Sequence, residues 1–174
     1  MGITPEAVVG TTIAFSFILF GNAITQSFMC VPALVHDFPP PSSPDHAARA
    51  RLLGRQWPIL WAVGNSFFRP ISTFGIFGYA YTSWAALVQG PNGKLGDPRL
   101  YAVAALCHLI TVVHSAINMQ PINEKLDALS ESKGKVDSSQ AEAYARRWIK
   151  FNAVRLITPV VAGSLALWQT LKSR

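Results

Sequence analysis

Two stretches decide how this chain reads: HSAINMQPINEKL, His114 to Leu126, and RRWIKFNAVRLITP, Arg146 to Pro159. Each sets amide, imidazole, indole or guanidinium groups at the end of a long apolar run. On a helix His114 and Asn118 are i, i+4 neighbours, with Thr111 one turn earlier on the same face. Trp148, Asn152 and Arg155, spaced by four and three, also share a face. Two apolar helices with polar stripes at corresponding ends predict a shared pocket close to a membrane surface.

Working outward, the composition sets the class. Of 174 residues, 50% are hydrophobic and 14% charged, with a mean hydropathy of +0.27. Soluble domains carry roughly 25% charged residues. The chain reads as an integral, multi-pass membrane protein in contact with the lipid bilayer, with an endoplasmic-reticulum-type membrane as the default. The net charge of +6 comes from Lys and Arg beside apolar runs rather than along one soluble face. With no nucleic-acid motif beside it, such charge orients helices, and nucleic acid is not an expected partner. The only cysteines, Cys30 and Cys107, lie in or beside apolar runs and form no CxxC pair. They read as buried small hydrophobes.

The fold expectation is all-α: one membrane domain over residues 1–174, a four-helix bundle with spans near 7–31, 67–88, 100–118 and 151–171. Each is about the 20 residues that cross a bilayer. In the first span Asn22 and Gln26 are too polar for lipid and should point inward. PPPSSP at 39–44 interrupts the helix. Ser43 or Asp45 then caps an amphipathic helical lead-in carrying Arg49, Arg51 and Arg55. Pro70 should kink the way into the second span, and Arg69 should snorkel or face a polar cavity. Pro121 is expected to end the third span. Glu124 to Ser139, with ESKGK at its centre, reads as a polar exposed loop. His36 and His46 read as solvated side chains, and His108 and His114, six apart, point to different helix faces. Lys and Arg cluster in the regions joining spans 1–2 and 3–4, which puts both termini across the membrane from the cytoplasm.

No P-loop, GxGxxG, HExxH, CxxCH or GxSxG is present. Chemistry here would fall to His, Asn, Arg, Trp and Tyr beside an apolar pocket. That suits a bilayer-partitioning substrate that brings its own reactivity.

A helix ending in Asn118, then Pro121 and Asn123, then Arg-Trp-x-x-x-Asn-x-x-Arg through Trp148, Asn152 and Arg155, resembles the anthrone oxygenase family of small four-helix membrane proteins. LLGRQW at 52–57 and Pro70 add to the likeness, which runs from about residue 8 to 170. The resemblance implies oxygenation of a hydrophobic aromatic anthrone by molecular oxygen to a quinone, with no cofactor and no metal. A base takes the acidic methylene proton, and the electron-rich anthrolate reacts with dioxygen directly. His114, chosen by its position and not by the family motif, is the expected base. Arg155 would hold the anthrolate oxygen, with Asn118 and Asn152 donating hydrogen bonds. Trp148 would stack on the rings, and Asn123, Asn22 and Gln26 would complete the substrate site. Two other classes stay open at this point. One is a non-enzymatic four-span scaffold or carrier; the other is a metal-dependent oxygenase using His36, His46, His108 or His114.

Overall fold

The computed structural model describes residues 2, 4–90, 93–130 and 137–173, and the described residues are helical with no strand. The helices are α1 (Pro5–Thr25), α2 (Val31–Leu34), α3 (His46–Gln89), α4 (Pro98–His114), α5 (Gln120–Ala128) and α6 (Ala141–Lys172). A π-helical turn, Gln26–Cys30, joins α1 to α2, and another, Ser115–Met119, joins α4 to α5. A 3-10 turn, Ser138–Gln140, leads into α6. The chain thus makes four long helical runs. Three of them, Pro5–Leu34, Pro98–Ala128 and Ser138–Lys172, are long and apolar enough to cross a membrane. The run α3, burdened by Arg49, Arg51, Arg55 and Arg69, is not among these three.

Local chemistry sets the helix ends. Pro5 needs no N–H partner in a first turn, and the Thr4 hydroxyl accepts from Ala7 N at 3.3 Å. Pro98 opens α4 in the same way, where Asp97 Oδ1 accepts from Arg99 N at 2.9 Å. Gly90, at φ 76°, closes α3 with a left-handed turn that a side chain would oppose. Asp137 accepts from Ser139 N at 2.9 Å and from the Ser139 hydroxyl at 2.7 Å, which winds the 3-10 turn.

Three expectations are corrected. Pro121 does not end its helix: it occupies the first turn of α5, directly after the π turn. Residues 124–128, expected in a loop, are the end of α5; ESKGK, 131–135, lies outside the described residues. The lead-in and second span are one uninterrupted 44-residue helix that contains Pro58 and Pro70.

The two π turns share one local setting. Each precedes a proline by two residues, Pro32 and Pro121. In an unbroken α-helix the proline rings would meet the carbonyls of Phe28 and Ile117, four residues back. Widening the turn relieves that crowding. Val31 N bonds Gln26 O and Gln120 N bonds Ser115 O, both spanning five residues instead of four.

The packing divides the chain into two compact units, and each long helical run gives one segment to each. The first unit comprises Met1–Asn22, Phe68–Val113 and Val154–Arg174. Its core is Val9, Tyr79, Ala85, Ala86, Leu95, Tyr101, Ala104, Ala162 and Ala166. Small residues dominate, so helix backbones approach closely, as suits packing in lipid. Its exterior is apolar: Phe74, Phe77, Leu106, Ile110, Ile157 and Leu171 are exposed. Its interior holds Thr12, Ser16, Ser72, Thr82, His108 and Gln169. Polar groups inside and large hydrophobes outside suit a hydrocarbon surround.

The second unit comprises Ala23–Phe67 and His114–Ala153. Its core is built around Leu53, Trp57, Ile122, Leu126 and Trp148. Gly54 is needed here: a Cβ would stand 2.3 Å from the backbone nitrogen of Ser130, beyond the end of α5. His46 is buried, 5% exposed, which corrects the solvated reading. Its Nδ1 lies 2.7 Å from the Pro39 carbonyl and its Nε2 lies 2.8 Å from the Ser138 carbonyl. One ring therefore joins the proline-rich connector to the turn before α6. His36 is exposed beside Asp37.

Candidate functional site

The polar residues of the second unit sort into a buried framework and an accessible pair. In the framework, Asn123 Oδ1 accepts from Trp148 Nε1 at 2.9 Å and from Trp57 Nε1 at 3.1 Å. The two indoles meet edge to face, with centroids 5.6 Å apart and an interplanar angle of 87°. Asn123 is 7% exposed and Trp148 3%. Desolvated indole N–H groups need acceptors, and one amide oxygen serves both. Asn152, fully buried, donates from Nδ2 to the Ala23 carbonyl at 3.1 Å and to Ser27 Oγ at 2.8 Å. That ties α6 to the first π turn, where Gln26 is also buried and engaged.

The accessible pair is His114, half-buried, and Asn118, exposed. His114 Nε2 lies 2.9 Å from the Phe151 carbonyl. A carbonyl only accepts, so Nε2 carries the proton in this arrangement and Nδ1 keeps the lone pair. Asn118 Nδ2 donates to that lone pair at 3.1 Å. The Phe151 ring packs edge to face with the imidazole, centroids 5.9 Å apart, and the Arg147 guanidinium lies over the same ring, 5.2 Å from its centroid. The π turn starting at Ser115 carries Asn118 on a widened helix, a distortion often found at functional sites. The geometry therefore presents an oriented imidazole whose Nδ1 lone pair accepts from an exposed carboxamide.

The remaining expected residues fall in the first unit. Arg155 is half-buried on α6 and engaged. Asn22 is half-buried, and its Nδ2 has no hydrogen-bond partner among the described residues. Thr111, grouped with His114 by helical spacing, instead shares a hydrogen bond with Thr158 in the first unit. Both cysteines are half-buried. Among the described residues no three His, Cys, Asp or Glu side chains gather to hold a metal ion.

Sequence reasoning misses Trp57, the second donor to Asn123, and the Phe151 carbonyl that orients His114. It also misses a fully buried polar knot in the first unit. There Ser16 Oγ lies 2.9 Å from Tyr79 OH and 2.9 Å from His108 Nε2. His108 presses against the backbone of α3 at Gly75, where a Cβ would fall 2.2 Å from Nδ1. The knot links α1, α3 and α4 and has no exposed surface, so it serves as helix-to-helix framework. Its sequence signal is the pair Gly75 and Gly78, set among the aromatic residues Phe74, Phe77 and Tyr79.

Among known proteins, the family model described as anthrone oxygenase matches residues 57–165, more than half of the chain. No curated protein and no solved structure matches. The matched region begins at Trp57 and takes in His114, Asn118, Asn123, Trp148 and Asn152, the whole of the framework's indole–amide core and the accessible pair. This all-helical membrane-type chain belongs to the anthrone oxygenase family.

Proposed function

We propose that this protein oxidises an anthrone-like hydroxylated aromatic with dioxygen to the corresponding quinone, without a cofactor. One observation carries the reading beyond family membership: His114 is held as an Nε2–H tautomer by the Phe151 carbonyl, leaving its Nδ1 lone pair behind a displaceable amide.

In the proposed reaction the substrate displaces Asn118, and Nδ1 of His114 takes a methylene proton. The anthrolate gives one electron to dioxygen, and the radical pair combines into a carbon–peroxide bond. The peroxide takes the proton back as a hydroperoxide. Loss of the second methylene hydrogen with cleavage of the O–O bond expels water and leaves the new carbonyl. One dioxygen is consumed; one of its oxygen atoms enters the quinone and the other leaves as water. Asn118, once displaced, is a hydrogen-bond donor for the anionic oxygen. Asn123, Trp57, Trp148 and Asn152 hold the helices that carry the pair. α3 is proposed as the fourth crossing because its C-terminal half exposes Phe74, Phe77, Trp84, Leu87 and Val88.

The test is oxygen uptake by purified protein in detergent, supplied with a hydroxylated anthrone, with the quinone quantified. One mole of quinone per mole of oxygen, faster than the uncatalysed autoxidation, supports the proposal. A rate equal to autoxidation by folded protein would leave a scaffold or carrier.

A further inference from the structure

A cavity of about 700 Å³ opens within the first unit, and none of the residues lining it takes part in the proposed oxidation. Its walls come from the end of α3 (Ala86, Leu87), the start of α4 (Asp97, Arg99) and the end of α6 (Gln169, Lys172). Arg99 and Lys172 are exposed, and neither forms an ion pair among the described residues. The single carboxylate in its lining is Asp97, whose Oδ1 accepts from the Arg99 backbone nitrogen and which leaves the two cations in excess by one charge. The lining thus carries two cations against one carboxylate, together with the aliphatic Ala86 and Leu87.

The surroundings of the cavity identify its medium. Trp84 and Trp168 are 59% and 64% exposed. Each lies about one turn before the end of its helix, Gln89 or Lys172. Exposed tryptophans near the ends of apolar helices sit at the level of lipid headgroups. Leu87 and Leu171, also exposed, continue the apolar exterior up to the cavity. A ligand here would have an anionic head beside a hydrocarbon tail.

We propose that this cavity binds the phosphodiester headgroup of a membrane glycerophospholipid. The Arg99 guanidinium offers paired N–H donors to two phosphate oxygens, and the Lys172 ammonium supplies a second charge. The acyl chains lie along the exposed apolar face that begins at Leu87. Such a lipid would fasten the ends of α3, α4 and α6 to one another at the bilayer surface.

The test uses the full chain, delipidated in neutral detergent, with thermal unfolding and native mass spectrometry as readouts. Three ligands are titrated: phosphatidylglycerol, diacylglycerol with the same chains, and inorganic phosphate. Phosphatidylglycerol should bind and raise the unfolding temperature, and diacylglycerol, which lacks the phosphate, should not. Arg99→Gln with Lys172→Gln should weaken binding by roughly 10–30-fold, from the attraction of two near-surface cations. Lys150→Gln, exposed on the second unit, controls for general charge and should leave binding unchanged. Equal binding of diacylglycerol, or unchanged affinity in the folded double variant, overturns the proposal. Inorganic phosphate stabilising as well as the lipid would assign the site to a free anion and overturn it too. If Arg99→Gln and Lys172→Gln together prevent folding, Arg99→Lys, which keeps the charge but not the fork, should still show measurably weaker lipid binding; unchanged affinity there overturns it.

Discussion

Asn123→Leu is the substitution whose cost the structure fixes best. Asn123 Oδ1 accepts from the indoles of Trp57 and Trp148 at 3.1 and 2.9 Å, in a setting where Asn123 is 7% exposed and Trp57 1%. Leucine replaces the amide with an apolar side chain of comparable length, so the change is chiefly the lost acceptor. Leaving a buried donor unpaired costs about 1–3 kcal/mol. Two indoles on one oxygen bring the expected loss to about 2–6 kcal/mol, a large share of the 5–15 kcal/mol typical of a folded protein. Reversible unfolding in detergent, followed by tryptophan fluorescence, measures it. The signal reports directly, because both donors are tryptophans. Removing a donor as well should recover part of the loss. Trp57→Phe in the Asn123→Leu background should cost less than the two single changes summed, with a coupling of about 0.5–3 kcal/mol. Asn123→Leu within about 0.5 kcal/mol of wild type, or strict additivity in the cycle, would refute the shared-acceptor reading.

Gly75→Ala should destabilise the first unit by about 1–3 kcal/mol, since the new methyl falls 2.2 Å from His108 Nδ1 beside a helix backbone; denaturant titration checks it. His46→Leu should strip the Pro39 and Ser138 carbonyls of their partner and speed proteolytic cutting on either side of α3's start, while wild type resists. The Asp137 carboxyl is held below its ordinary value by the Ser139 hydroxyl first, then by the Ser139 backbone N–H, with a smaller pull from His46. A depressed carboxyl stabilises above its unfolded value and loses that contribution as pH falls through its folded value. Unfolding profiles of wild type and Asp137→Asn should therefore converge below about pH 4 and separate above it.

The four helical runs are legible in the sequence because 20-residue apolar stretches in a chain with few charges leave little alternative. The ends of the runs are less so. Proline normally marks a stop, and Pro121 reads as one. The widened turn at Ser115–Met119 absorbs its ring, and a switch from four-residue to five-residue hydrogen bonding leaves no composition signal. His114 and Asn118 do pair, since i, i+4 spacing tolerates that widening. What orients His114 is a main-chain carbonyl, at Phe151, and main-chain partners are invisible in a sequence. The same blindness hides the burial of His46, whose two partners are carbonyls of Pro39 and Ser138. Trp57 and Trp148 are visible as aromatic residues, but their meeting on Asn123 depends on packing of segments 66 and 25 residues away.

Whether His114, oriented by the Phe151 carbonyl, is the base of a cofactor-free oxidation is tested most directly by activity per folded molecule. Metal- and flavin-stripped wild type, His114→Ala and Asn118→Ala would be compared for quinone formation, each rate divided by the folded fraction from its unfolding curve. Stripped wild type should stay active, and His114→Ala should lose about 10²–10⁴-fold. Asn118→Ala, which uncovers the lone pair but removes one donor, should lose far less. Full activity in folded His114→Ala, or activity that disappears with a chelator and returns with iron or copper, would contradict the assignment.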